Sequence, residues 1–245
     1  MTSSQSSPPP SHHFHGEPWH TPKGRAIREV VFGMNDGLIT TLCFLAGVSS
    51  AIAHSGVVIL AGLAEVMAGA VSMALGAYLA TKAQQEFFAR EIARERREIE
   101  EAAEHERDEV REIYRGHGLT EDEIEIMTNR ITADKERWLH FMLREELGLV
   151  EETFDNPVES GAIMGVSFII GALPPLLPYF FLAPRQALPV TLLLSLLTLF
   201  GLGIGKTRVT KVNWLRSGLE VAVLGIIAAA VGYGLGQAGA ALLGH

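Results

Sequence analysis

The chain has 245 residues, 48% of them hydrophobic and 20% charged, with a formal net charge of −8. Those averages suit a soluble globular domain, yet residues 82–159 hold 12 Lys and Arg against 23 Asp and Glu, net −11, while everything else is net +3. This distribution excludes a strongly basic nucleic-acid footprint and a single soluble core, and the lone Cys43 excludes a disulfide framework.

Residues 1–27 read as a disordered Ser/Pro/His tail, with no basic segment leading into an apolar run as a signal peptide would have. Its His12, His13, His15 and His20 offer loose ligands to a transition metal, against the plainer expectation of a tail without a role. Membrane helices 1 and 2 are expected within residues 28–81. Residues 30–53 are apolar except for Asn35, Asp36 and small hydroxyl residues, and 57–81 carry one charge, Glu65. About 20 helical residues cross a hydrocarbon core, so both runs span, joined as an antiparallel hairpin by His54-Ser55-Gly56.

Residues 82–156 follow as an acidic helical domain. Residues 82–115 contain no Pro or Gly and are rich in strong helix formers, which predicts one unbroken helix up to Gly116-His117-Gly118. Thr120 opens a second helix, with Glu123 three residues on completing a capping box. A third is expected over 132–147, and Asn156-Pro157 separates it from what comes next.

Residues 157–245 hold membrane helices 3 to 5. Residues 161–183 and 187–205 are apolar, the first bent or shortened by Pro174, Pro175 and Pro178; residues 217–243 carry only Glu220. Lys23, Arg25 and Arg28 before the first span put the N-terminus in the cytoplasm under the positive-inside rule. Lys206, Arg208, Lys211 and Arg216 between spans four and five agree, which leaves the acidic domain inside and the C-terminus outside. The pairs Gly33/Gly37, Gly201/Gly205 and Gly232/Gly236 have the spacing of small residues that let membrane helices approach closely. The fold class is therefore an all-α membrane protein of five transmembrane helices, with a cytoplasmic three-helix insertion between helices 2 and 3.

Ionisable groups inside a membrane are costly and mark function. Asp36 and Glu65 on consecutive helices, with Met73 two turns after Glu65, offer a divalent ion hard and soft ligands, a mixture suited to Fe²⁺ or Mn²⁺. Glu220 is left as a side chain that snorkels to interfacial water. In the insertion, Glu95 and Glu98, then Glu106 and Glu109, form two E-x-x-E pairs on one stripe of a straight helix, about 16 Å apart along its axis. That distance implies two sites or a ladder. Met142 and Glu146 share a face of the third helix, with Glu145 beside them. Against metal binding stands a solvated face stitched by Arg94, Arg97 and Arg107. A ferritin-like di-iron bundle fails, because His105, His117 and His140 lack a Glu three residues before them.

Six blocks in order carry a specific resemblance: REVVFGMNDGLITTL, AGLAEVMAGAVSMALGAYL, EIARERREIE, LREELGL, GALPPLLPY and GIGKTRVTK. Together they resemble the vacuolar iron transporter family, also called CCC-type iron and manganese transporters, over nearly everything from Arg28 onward. The resemblance implies homodimers of five-helix subunits, a cytoplasmic three-helix metal-binding domain, and export of Fe²⁺ from the cytoplasm in exchange for protons along the dimer interface. Matched by position, the family's membrane-site residues fall on Asp36, Glu65 and Met73, and its cytoplasmic ligands on Glu95, Glu98, Glu106, Glu109, Met142 and Glu146. The coincidence with the helical stripe decides against the solvated face. Where the family often has an acid directly after the third-helix Met, this chain has Leu143, with Glu145 as the nearby substitute. Ala77 stands where many members have Glu.

The expected protein is thus a proton-coupled exporter of Fe²⁺, Mn²⁺ or another first-row ion, not an enzyme. Its metal is substrate rather than prosthetic group, and its partners are membrane lipid, a second copy, divalent ions and protons, with no nucleic acid. The rival is a membrane-anchored metal sensor or store without flux. The absence of a targeting signal and the compact insertion favour a bacterial inner membrane.

Overall fold

A charge-free stretch crosses hydrocarbon as a helix because no water is there to satisfy its backbone groups. The computed structural model describes residues 22–146, 148, 156–210 and 213–243, and these residues form helices and turns with no strand among them. The helices are α1 (Pro22–Ala51), α2 (Ser55–Glu101), α3 (Ala103–Gly116), α4 (Glu121–Thr132), α5 (Lys135–Glu145), α6 (Pro157–Leu176), α7 (Pro184–Thr210) and α8 (Trp214–Leu243). A 3₁₀ turn, Leu177–Phe180, follows α6. Five helices (α1, α2, α6, α7 and α8) are long and apolar enough to span, which makes this a multi-pass membrane protein.

Element boundaries differ from the sequence expectations in instructive places. The helix α1 begins at Pro22, so residues 22–27 are helical rather than part of the tail; a proline in the first turn loses no hydrogen bond there. His12, His13, His15 and His20 lie outside the described residues. Ser55 and Gly56 open α2 instead of forming the turn, and the His54 carbonyl accepts from the Val57 and Val58 N–H groups at 3.1 and 3.2 Å. The third span ends early, as its prolines require: α6 stops at Leu176, just past Pro174 and Pro175. The last described stretch of basic residues keeps Arg216 in α8, whereas the side chains of Lys206 and Arg208, and Lys211 altogether, lie outside what is described.

The largest difference concerns the acidic domain. Helix α2 runs unbroken from its apolar half into the acidic segment, 47 residues from Ser55 to Glu101, a length of roughly 70 Å. The chain then turns at Ala102 (φ −128°, ψ 34°) and starts α3. The unbroken helix over 82–115 is therefore two helices. Helix α5 starts at Lys135 rather than 132, because Asp134 caps it by accepting from the Arg137 N–H at 2.9 Å. Residue 147, its expected end, lies outside the described residues.

Two compact units make up the chain, one from residues up to 65 together with 167 onward, the other from 66–166. In the first, small residues bring backbones together. A Cβ on Gly37 would overlap the Phe168 carbonyl oxygen, one on Gly171 the Met34 carbonyl, and those on Gly232 and Gly236 the Cys43 and Gly47 carbonyls. Gly201 and Gly205 face open space; Gly203 between them makes the contact, against Ser217 and Gly218. The Ser217 hydroxyl also donates to the Gly203 carbonyl at 2.9 Å. Helices α7 and α8 thus approach at Gly203, and further along at Gly218 against Phe200 and Gly225 against Leu199, rather than at the Gly201/Gly205 pair.

The second unit has its own core: Ile99, Val110, Tyr114, Ile124, Trp138, Leu139, Met142 and Leu143, drawn from α2 through α5. Each such side chain contributes about 1.5–3 kcal/mol on burial. The capping box at Thr120 forms as expected, with the Glu123 carboxylate accepting from the Thr120 N–H at 2.9 Å and hydroxyl at 2.7 Å. Gly118 (φ 81°) supplies the left-handed residue that the turn between α3 and α4 needs.

Candidate functional site: a glutamate cluster and a membrane carboxylate pair

The turn at Ala102 creates the first candidate site. On a straight helix Glu95 and Glu106 would stand about 16 Å apart. With the chain folded back, their carboxyl groups share a hydrogen bond. The ladder of separate sites read from the sequence is therefore a single cluster. Glu95 is 1% exposed and Glu106 3%, and Glu95 Oε1 and Glu106 Oε2 each lack a hydrogen-bond partner.

Electrostatics follow from that burial. Desolvation, then the charges of Glu106, Glu146 and Glu98, push Glu95 up to about 8. Burial and the neighbouring Glu109 raise Glu106 as well. Glu146 is raised by burial and Glu109, against the opposing charge of Arg94. Like charges at such range cannot all ionise, so protons occupy the cluster when no cation does. Among the described residues no Lys, Arg or His pairs with Glu95 or Glu106.

The arginines explain the other acids instead. Arg94 pairs with Glu91 (3.0 Å) and Glu98 (3.5 Å), and Arg96 with Glu136 (3.2 Å). Arg97 donates to the Ala93 carbonyl, and Arg107 to Asn129. A solvated, ion-paired face exists, but the buried pair is not on it.

Of the seven cytoplasmic residues expected as ligands, five (Glu95, Glu98, Glu106, Glu109 and Glu146) feel one another's charge. Met142, one turn before Glu146, is fully buried in the unit's core. Glu145 points elsewhere: it meets His117 at 3.8 Å and Arg144 at 3.5 Å, and its charge raises Tyr114 after burial does. Neighbours on a helix diverge by about 100°, which separates Glu145 from Glu146. Among the described residues no three His, Cys, Asp or Glu already stand in metal-ligating positions. Leu143, where the resemblance leads one to expect an acid, is 3% exposed in the core.

The second candidate lies within the membrane segments. Asp36 on α1 is half-buried and accepts from the Thr40 hydroxyl one turn on. Glu65 on α2 is also half-buried; its Oε2 accepts from the Thr41 hydroxyl at 2.9 Å, and it lies close enough to Asp36 for their charges to interact. The close crossing of α1 and α6 at Gly37 and Gly171 flanks Asp36. Thr40 and Thr41 went unrecognised in the sequence, although two adjacent hydroxyls four and five residues after an intramembrane Asp are a readable signal. Met73 is half-buried, eight residues beyond Glu65 on the same helix.

With the geometry described, comparison with known proteins decides the lineage. The profile of the VIT family matches residues 27–237. Vacuolar iron transporter 1 of Oryza sativa subsp. japonica is 38% identical over 229 residues, 93% of this chain and 90% of that protein. The chain belongs to the VIT family. Vacuolar iron transporter 1 of Arabidopsis thaliana is 36% identical over 89% of this chain and 88% of its own length. Protein CCC1 of Saccharomyces cerevisiae is 28% identical over 84% of the chain and 66% of its own length. These relatives are eukaryotic, and several are named as vacuolar, so they lend no support to the bacterial inner membrane expected from the sequence.

Proposed function

We propose that the protein is a proton-coupled transporter of divalent metal ions, with Fe²⁺ as substrate and Mn²⁺ or another first-row ion as an alternative. One observation carries the reading. Asp36 and Glu65 face each other from consecutive membrane helices, and no Lys or Arg stands between Arg28 and Lys82 to neutralise them. In hydrocarbon such a pair is stabilised by protons or by a cation, and exchange of one for the other is a transport step. Met73 adds a thioether, which prefers softer first-row ions to Mg²⁺ or Ca²⁺. The names of the relatives point to iron.

In this reading Glu95, Glu98, Glu106, Glu109, Met142 and Glu146 gather the ion from the cytoplasm, with Glu145, turned toward His117 and Arg144, left out of the set, and the membrane carboxylates carry it outward as protons return. The N-terminus and the acidic helices are cytoplasmic, the C-terminus lies outside, and the working form is a homodimer. Fe²⁺ is cargo; no prosthetic group is needed. Uptake of Fe²⁺ into proteoliposomes under an imposed pH gradient tests the mechanism: Asp36→Ala is expected to fall to the level of empty vesicles, and wild-type flux in that variant overturns it. A metal sensor or store would instead bind the ion and show no flux in wild type either.

A further inference from the structure

In the second unit, five buried side-chain atoms lack a hydrogen-bond partner: Glu95 Oε1, Glu106 Oε2, Arg107 Nε, Thr128 Oγ1 and Trp138 Nε1. Pairs between the helices place four of them at one level. Arg107, Arg111 and Arg115 of α3 meet Asn129, Glu125 and Glu121 of α4, so these helices run antiparallel. One residue back along each turns about 100° inward. That step puts Val110 opposite Ile124, which share the core, and Glu106 opposite Thr128. Arg96 meets Glu136 and Glu100 meets Lys135, which makes α2 and α5 antiparallel too and sets Trp138 level with Glu95. Glu95 and Glu106 share a hydrogen bond across the turn at Ala102. Each of α2, α3, α4 and α5 therefore brings one residue to this level. Thr128 is 0% exposed and Trp138 4%, so both side chains face inward. The fifth atom belongs to the outer row, where the Arg107 guanidinium reaches Asn129.

We infer that Thr128 and Trp138 are positioning residues of the glutamate cluster, joined to its carboxyl groups through one enclosed water molecule. Donors and acceptors match. An indole N–H only donates and an ionised carboxylate only accepts, while a hydroxyl does either. A water between them accepts from Trp138 and Thr128 and donates to Glu95 and Glu106. Four bonds lie within the range that buried waters make. Beyond the Glu95–Glu106 bond no direct bond links these groups, and each left unpaired would bear its full desolvation cost; a bridging water is the partner common to all four.

The occupant is a water rather than the metal, because an indole N–H and a hydroxyl proton repel a cation. Metal is left the more open side of the cluster, where Glu98, Glu109 and Glu146 are less buried than Glu95 and Glu106. The consequence for binding rests on the metal-gathering role proposed above. Groups that hold a ligating carboxylate in place are typically worth about 10–100-fold in metal affinity.

The test uses full-length protein in detergent, with Phe replacing Trp19 and Trp214 so that Trp138 is the remaining indole. With ¹⁵N-labelled tryptophan, the Trp138 N–H is expected to show a nuclear Overhauser contact to water, although the ring is 4% exposed. Val matches Thr in shape and nearly in helix propensity, so Thr128→Val removes the hydroxyl alone. It is expected to weaken the water contact and to unfold at lower urea than the parent. Mn²⁺ added at neutral pH is expected to quench Trp138, with the half-point raised about tenfold in Thr128→Val. Thr128→Ser, which keeps the hydroxyl, should keep both the water contact and the parent half-point. A Trp138 N–H without a water contact in the parent overturns the inference. So does a Thr128→Val protein that unfolds at the parent's urea concentration or above, the result for a hydroxyl with no partner, or one whose Mn²⁺ half-point is unchanged. Absence of any Mn²⁺ effect in the parent, or one that Glu95→Gln leaves intact, would count against the metal-gathering role instead, and the water contact and urea midpoint would still decide the place of Thr128 and Trp138.

Discussion

Replacing Glu95 with Gln removes one ionisable group from the buried cluster while keeping its shape and a donor toward Glu106. The expected effect is a more stable protein at neutral pH. In the folded chain Glu95 is pushed up to about 8, against an ordinary value of 4.5. Between those values the folded state binds more protons than the unfolded one, so stability is undiminished below pH 4.5 and falls as pH rises toward 8. At pH 7.5 the ceiling of this penalty is about 4 kcal/mol, three pH units at 1.36 kcal/mol each. Glu106 shares the proton, so the gain on replacement is about 2 kcal/mol. Trp138 reports on the same unit, being 4% exposed in its core; substituting Phe for Trp19 and Trp214 isolates its fluorescence. In urea unfolding of the full chain between pH 5 and 8.5, wild type should lose on the order of 1 kcal/mol per pH unit, and Glu95→Gln should lose less. Mn²⁺ at pH 7.5 should stabilise wild type far more than the variant. Wild-type stability that is flat or rising over this range, or a variant less stable than wild type at pH 7.5, refutes the reasoning.

Two further outcomes test the packing around the sites. Gly37→Ala and Gly171→Ala force α1 and α6 apart, because the new Cβ overlaps a facing carbonyl; each should cost about 2–3 kcal/mol, whereas Gly201→Ala and Gly205→Ala, in open space, should change stability by less than about 0.5 kcal/mol. Thermal unfolding in detergent separates the two sets, and equal midpoints would sink the argument. Leu143→Asp places a carboxylate where a side chain 3% exposed now packs, and should destabilise the acidic helices by about 3 kcal/mol or more; an intact Trp138 signal with tighter Mn²⁺ binding would contradict that.

What was legible in the sequence was set by local or one-dimensional constraints. Hydrocarbon demands some 20 residues without charge, so the five spans stood out. The Thr120–Glu123 box is written within four residues, and so is the cap that opens α6, where Asn156 Oδ1 accepts from the Val158 N–H at 3.0 Å. The turn at Ala102 was not legible, because nothing within 82–115 breaks a helix. Its stabilisation is non-local: Ile99 before the turn and Val110 after it enter the same core with Trp138 and Leu139. Helical arithmetic carried straight through that point therefore found the right stripe of glutamates and the wrong spacing between them. Asp134 and the two threonines after Asp36 belong to another class, local signals that were present and overlooked.

The fold-back changes what the stripe can do. Two E-x-x-E pairs 16 Å apart on a rod would each keep nearly ordinary acidity and bind ions independently. Folded together, Glu95 and Glu106 are raised by burial and then by neighbouring charge, so under the proposed function a divalent ion arriving at neutral pH has to displace protons, and its apparent affinity falls as pH falls. The membrane pair likewise has no basic residue in its own segments, since residues 29–81 contain two carboxylates beyond Glu29 and no Lys or Arg. Basic residues are not scarce in this chain: 12 lie in the acidic block itself, yet Arg94, Arg96, Arg111 and Arg115 pair with other acids and Arg107 with Asn129 rather than with Glu95 or Glu106. Under the proposed function, proton–cation competition at both places comes from where the positive charges are withheld, and it needs no group beyond the carboxylates themselves.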